Sequence, residues 1–271
     1  MNYTYNPTTL ATIPELVHSY ITSLASPIDS YLEDHILQSD IVVITTDQNE
    51  PAGYYGLFEG RLLTQFYLRP PFVKDGQSLF VDVLNRTKAE SAFIPTCDEL
   101  FLSHALDQEP TIAKQAYFFQ DGSNTQSVGP IQTTADFRPA LATDVDAIYA
   151  MSGDFLDHLE DRIADDQIFI LTEADKLVGL GIIVPCQLLT DYSSIGMFIH
   201  QQHRRQGLGR TMLLHLKQWC YDHGRQPIAG CGYSNHLSKK TLESAGMITK
   251  TRLLKLTFTH PLDDITQSGL S

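Results

Sequence analysis

"HRRQGLGRTM", residues 203–212, sets three arginines and two glycines against the start of an apolar helix. Glycine weakens a helix by its backbone entropy, so two of them here point to something that must approach the backbone closely. A helix N-terminus offers unpaired N–H groups and the positive end of its dipole, which together hold an anion. Gly207 and Gly209 would let a pyrophosphate reach those groups, with Arg204, Arg205 and Arg210 adding charge around it. The plain structural alternative is a tight turn with solvated arginines. Two familiar phosphate loops are excluded. A P-loop ends in Gly-Lys-Ser/Thr, which is absent. A dinucleotide fingerprint opens at the strand end, whereas residues 200–206 separate Ile199 from Gly207, and Met212 replaces the third glycine.

Outward from this run the pattern alternates strands and helices. Upstream, "SIGMFI" (194–199) is apolar on both pleat faces, as a central strand requires. Before it, "QIFILTEADKLVGLGIIV" predicts two strands around the turn "EADK". Earlier still, a short strand around Phe137 leads to a helix capped by Thr143 or Asp144, with Val145, Ile148 and Met151 at helical spacing. Downstream, Met212, Leu213, Leu216, Trp219 and Cys220 form one helical stripe, closed by Gly224. "PIAGCGYS" follows as a strand, "HLSKKTLESAG" as a helix ended by Gly246, and "LLKLTF" as a last strand. The fold class is a mixed α/β layer.

The first half repeats this order weakly. Helical stretches within 8–38 precede "IVVITT", "PAGYYGLF", "LLTQFYL", a loop and the helix "SLFVDVLNRTKAE". With Leu68 laid over Ile199, Gly76 falls on Gly207, Ser78 on Gly209 and Val73 on Arg204. The match suits a duplicated fold with a blunted first site; two unrelated α/β halves remain the alternative. "DGSNTQSVGPIQTT" (121–134) reads as the linker between them.

Composition narrows the function. The 271 residues carry a net charge of −13, of which 1–130 contribute −10 (6 basic, 16 acidic) and 131–271 contribute −3 (13 basic, 16 acidic). Nucleic acid is disfavoured as a main partner, since phosphate neutralisation needs a basic face. The longest apolar stretch, "LVGLGIIVP", is far short of a membrane span, and the N-terminus does not read as a signal peptide. Four scattered cysteines suit reduced thiols in a cytoplasmic protein, and no zinc-type spacing implies a metal.

"RRQGLG" after a buried strand resembles the R/Q-x-x-G-x-G/A motif of the GNAT superfamily of acyl-CoA-dependent N-acyltransferases. "FRPALATDVDAIYAM" resembles the first strand and helix of that family, and "NHLSKKTLESAGM" (235–247) its segment after the fifth strand. The resemblance implies two GNAT-like domains in tandem: a degenerate one over 1–124 and an acetyltransferase domain over 135–262 that binds acetyl-CoA. It implies that backbone groups of Met197, Phe198 and Ile199 pair with pantetheine, and that a backbone N–H near Phe198 stabilises the oxyanion. It further implies that amides from Gln206 through Gly207, Leu208 and Gly209 to Arg210 hold the pyrophosphate, and that Asn235 and Ser238 contact the pantetheine arm. Asn235 also suits a turn or cap, and Ser238 a helix N-terminal hydroxyl.

The chain departs from the family's pattern at both proton-transfer positions. Leu242 stands where many members carry a tyrosine, and Ser193 where others carry a strand glutamate. Asp191, two residues earlier on the same pleat face, is a candidate base through water, with Ser193 beside it, or else a solvated strand-end carboxylate. Tyr233 is a further candidate, or packed core. Asp154, Asp157, Asp161 and Asp165 are predicted on one helical face, where they would draw a cationic amine acceptor or simply form a solvated surface. The sequence thus predicts an acetyl-CoA-dependent N-acetyltransferase acting on a primary amine; the alternative is a non-catalytic acyl-CoA sensor or interaction module.

Overall fold

The computed structural model describes residues 2–122, 131, 133–153 and 156–259. The described residues form two compact units: one holds those up to Tyr117 and those from Thr251 to Thr259, the other those between Phe118 and Lys250. Among the described residues no helix is long and apolar enough to cross a membrane.

In the first unit the strands are β1 (Tyr3–Thr8), β2 (Asp40–Thr46), β3 (Pro51–Phe58), β4 (Leu62–Leu68) and β5 (Ser91–Pro95). They lie side by side in that order, antiparallel except for β4 and β5. The helices are α1 (Pro14–Ser23), α2 (Ser30–Leu37), α3 (Gly76–Thr87) and α4 (Glu99–Leu106). Buried Asp29 and Asp98 start α2 and α4, accepting hydrogen bonds from the backbone N–H of Leu32 and Phe101, each at 3.1 Å. One core gathers Phe66, Leu68, Phe80, Val83, Phe101 and Leu256; a second places Leu16 and Tyr20 of α1 on Tyr54 and Tyr67. Strand β1 is tied to α3 by Tyr3 Oη donating to Asp75 at 2.6 Å and Tyr5 Oη to Asp82 at 2.7 Å.

Strand β6 (Thr111–Asp121) runs out of the first unit, and the second begins at Phe118 within it. The second unit continues with β7 (Asp136–Pro139), α5 (Val145–Ser152), α6 (Leu159–Ala164), β8 (Ile168–Glu173), β9 (Lys176–Pro185), β10 (Tyr192–Ile199), α7 (Leu208–Asp222), β11 (Gln226–Gly232) and α8 (His236–Ser244). Its strand order is β7-β8-β9-β10-β11, with β6 beside β11. The "EADK" turn forms as predicted, with Ala174 and Asp175 both at positive φ (47° and 62°), as a tight hairpin requires. Helix α5 starts at Asp144, the later of the two expected caps; its carboxylate instead grips Arg138 and the Leu141 N–H. Gly224 and Gly246 sit beyond α7 and α8 at φ 68° and 81°, the left-handed stops expected of them.

Three features differ from the sequence reading. The last strand, β12 (Met247–Thr257), pairs from Leu253 antiparallel with β5, so the residues of "LLKLTF" up to Thr257 complete the first unit, although they follow the second in the chain. Pairing of this kind is decided by docking, which local pattern does not encode. Asp121, the expected first residue of the linker, ends β6, and the Gly122 N–H donates to Gly246 O at 3.2 Å; residues 123–130 and 132 lie outside the described residues. The acidic helix face does not form. Gly153 ends α5 at φ 56°, His158 is left-handed, and α6 covers only Leu159–Ala164. Asp157 therefore precedes α6 and Asp165 follows it, both exposed like Asp161, while Asp154 lies outside the described residues.

Candidate functional site

Strand β10 pairs with β9 along its length, from Ser193 to Ile199. On its other side it pairs parallel with β11 only at Tyr192, Ser193 and Ser194. Beyond Ser194 the two strands part, and Gly196, Met197 and Phe198 are half-buried rather than sealed. The ladder between β10 and β11 is not continued past Ser194. The predicted pantetheine segment, Met197–Ile199, therefore lies where the sheet opens.

The chain then turns through Gln201–His203 into α7. Gly207 is the N-cap residue at φ 83°; a Cβ added to it would meet nothing within 4 Å, and no side chain caps the helix. Arg205 is also left-handed, at φ 64°. The first turn of α7 has no acidic residue, so no negative side chain within that turn opposes the positive end of its dipole. Arg204, Arg205, Gln206 and Arg210 are exposed around it, and Leu208 points into the core. Arg204 Nε donates to Ile199 O at 3.0 Å and its guanidinium lies 5.9 Å from the Phe198 ring centre, tying the loop to the open strand. Arg210 has a second duty: its Nε donates to Ser244 O at 2.9 Å, at the end of α8.

Gly209 has a further reason for lacking a side chain, beside the close approach its sequence suggests. A Cβ there would lie 3.0 Å from Thr241 Cγ2 of α8 and 3.5 Å from Met197 Sδ. The glycine lets α7 settle against α8 and the open strand; that neighbourhood is invisible in the sequence.

Asn235 is the N-cap of α8, its side chain accepting from the Ser238 N–H at 3.1 Å, so the capping role read for Asn235 is realised. The candidate base and its neighbour are not joined. Asp191 is exposed and its backbone O accepts from the Gln226 N–H at 2.8 Å, whereas Ser193 is fully enclosed and its Oγ has no partner. Ser193 is flanked by Pro185 and Pro227 on the neighbouring strands. Leu242 is buried core; Tyr233 is half-buried.

The corresponding region of the first unit is shut. Strand β4 pairs with β5 only at Leu62 and Leu63, yet every residue from Leu62 to Leu68 is buried. The His104 ring of α4 lies 5.9 Å from Phe66, and its Nε2 occupies the space where a Gly76 side chain would begin. Gly76 has ordinary helical φ, −58°. Its smallness makes room for an imidazole, whose pKa burial lowers; the carboxylate of Asp75, bonded to Tyr3, precedes the helix.

Sequence reasoning missed Lys217. It sits in the middle of α7 with its side chain 4% exposed, bonded to Asp121 at 2.9 Å. A lysine amid the apolar stripe of α7 was the available signal.

A mixed sheet thus opens beside a helix start that no side chain caps. Comparison with known families places the chain further. Residues 9–122 match the family described as "Acetyltransferase (GNAT) domain", and residues 135–247 the one described as "Acetyltransferase (GNAT) family". The chain belongs to the GNAT acetyltransferase family, with two GNAT domains in tandem. No curated protein matches it. Among solved structures, it is similar to an acetyltransferase of the GNAT family from Colwellia psychrerythraea (18% identity, 96% of this chain and 100% of that one, TM-score 0.83). It is also similar to a GCN5-related N-acetyltransferase from Sphaerobacter thermophilus (14%, 96% of each chain, TM-score 0.68). A third similar structure is a tandem GNAT protein from the clavulanic acid biosynthesis pathway (12%, 94% and 98%, TM-score 0.64). At these identities the likeness is one of fold.

Proposed function

We propose that this chain is a cytoplasmic N-acetyltransferase that binds one acetyl-CoA in its second unit and passes the acetyl group to a primary amine. The observation that carries the reading is the parting of β10 from β11 beyond Ser194, next to a helix start that no side chain caps. Pantetheine would take the place of the missing strand along Met197–Ile199. The pyrophosphate would sit on the amides from Gln206 to Arg210, with Arg204, Arg205 and Arg210 balancing its charge. Asn235 and Ser238 would flank the pantetheine arm. The region ahead of residue 124 is then a degenerate copy whose own cleft is filled, and the domain from residue 135 carries the chemistry.

In the reaction the amine first loses a proton, because its free pKa is about 10 by analogy with lysine. Its nitrogen then attacks the thioester carbonyl; the N–C bond forms, the C–S bond breaks, and the thiolate leaves and takes up a proton. A backbone N–H near Phe198 would hold the oxyanion. Asp191, exposed just before β10 and about 23 Å along the strand from Phe198, would receive the amine proton through a chain of waters. Exposed Asp157, Asp161 and Asp165 favour a cationic acceptor such as a polyamine or amino-sugar.

Titration calorimetry with acetyl-CoA, followed by a thiol assay for CoA release against polyamines and amino-sugars, tests the reading. One site per chain and amine-dependent CoA release are expected. Binding without release for any amine makes the protein a sensor; no binding removes the reading.

A further inference from the structure

Lys217 and Asp121 form a buried ion pair, 2.9 Å apart, with side chains 4% and 6% exposed. Pairs this deep gain little net stability, because desolvation offsets the attraction. The partners of this pair show what it does instead. Lys217 Nζ also donates to Ala245 O at 3.0 Å, just past the last turn of α8. Tyr221 Oη, one turn further along α7, donates to the other oxygen of Asp121. Gly122, next to Asp121, is held to Gly246 O at 3.2 Å, and a side chain on it would strike Gly246 O at 2.8 Å. Arg210, seven residues before Lys217 on α7, donates to Ser244 O at 2.9 Å. Two cations of α7 thus cap consecutive carbonyls at the C-terminal end of α8, where positive charge complements the dipole. Asp121 fixes the deeper of the two.

Helix α8 has nine residues, about 13 Å of rigid rod. Its far end carries Asn235 and Ser238, while the near end is pinned to α7, whose own start carries Gly207. Holding one end of the rod fixes the other.

We propose that Lys217 and Asp121 are positioning residues that set the span between the pyrophosphate and pantetheine ends of the cofactor site. The inference rests on the cofactor reading above. A molecule touching only the α7 start does not need α8 in register; one that spans both ends does. Free CoA and ADP are therefore the probes, titrated into the full-length chain. With Asp121→Asn, the Kd of CoA should rise at least tenfold while that of ADP changes less than twofold. Should Asp121→Asn fail to fold, the pair Asp121→Asn/Lys217→Met leaves no unpaired buried charge and still lacks the bond to Ala245 O; the same split is expected of it. Equal loss of both probes, or no loss of either, overturns the inference while leaving the cofactor reading intact. A wild-type chain that binds neither probe overturns both.

Discussion

Gly207 and Gly209 are two positions apart and lack a side chain for different physical reasons. Gly207 is left-handed, φ 83°, with open space around it. Gly207→Ala meets no clash but strains the backbone by about 1 kcal/mol, so a small loss of melting temperature with a severalfold weaker acetyl-CoA affinity is expected. Gly209→Ala meets Thr241 Cγ2 at 3.0 Å, so its effect falls on packing between α7 and α8. Thr241→Ser removes that methyl group. The double variant Gly209→Ala/Thr241→Ser should recover most of the stability lost by Gly209→Ala, as thermal unfolding would read. If stability stays low while the fold is intact, the tight contact is not what the glycine relieves.

At the scale of elements, α3 and α7 are counterparts with opposite fates. Each follows a strand that parts from its parallel neighbour. The start of α7 is open, whereas α3 begins against His104. Gly76→Ala carries no backbone penalty at φ −58°, yet it drives a Cβ into the imidazole. Overpacking of this kind costs about 1–3 kcal/mol. Chemical denaturation should show that loss, while calorimetry still finds one acetyl-CoA per chain at nearly unchanged affinity. Cofactor density beside Gly76 in a soaked crystal would overturn the assignment of roles. The segment between α5 and β8 is the other lesson at this scale: its aspartates fit a helical spacing, but Gly153 and left-handed His158 break the helix before it can display them. Asp157→Asn with Asp161→Asn should still raise the acceptor KM at low salt, since both are exposed, and the effect should fade as salt rises.

For the molecule as a whole, pH enters through two buried carboxyls. Burial pushes the pKa of both Asp29 and Asp98 up to about 7, against the hydrogen bonds from Leu32 and Phe101 that act the other way. In the unfolded chain each returns to about 3.9. A folded pKa above the unfolded one means stability that is present in acid, below about pH 4, and lost as pH rises through 7. Each group accounts for up to roughly 4 kcal/mol over that window. Asp82 and Asp144 oppose this weakly: Tyr5 and Arg138 respectively hold them below the usual carboxylate range, at the surface. Asparagine still caps a helix, so Asp98→Asn should lose less stability than wild type between pH 5 and pH 8 in urea titrations. Parallel curves for the two proteins would show that Asp98 does not titrate there.

What the sequence determined by itself is local. The order of strands and helices, the "EADK" hairpin, the glycine stops after α7 and α8, the Asn235 cap and the arginine-glycine loop all follow from neighbours in the chain, because turns, caps and periodicity are settled within a few residues. The strand at 91–95 and the helix at 99–106 escaped that pattern because they are brief, and the strand at 111–121 because its first five residues are exposed and polar in part. Tertiary structure alone decided the rest. It set β12 against β5, filled the first unit's cleft with α4, placed Thr241 against Gly209 and brought Asp121 to Lys217. These are contacts between residues far apart in the chain, chosen by which surfaces pack and which buried charges find partners, and no stretch of sequence carries both sides of such a contact.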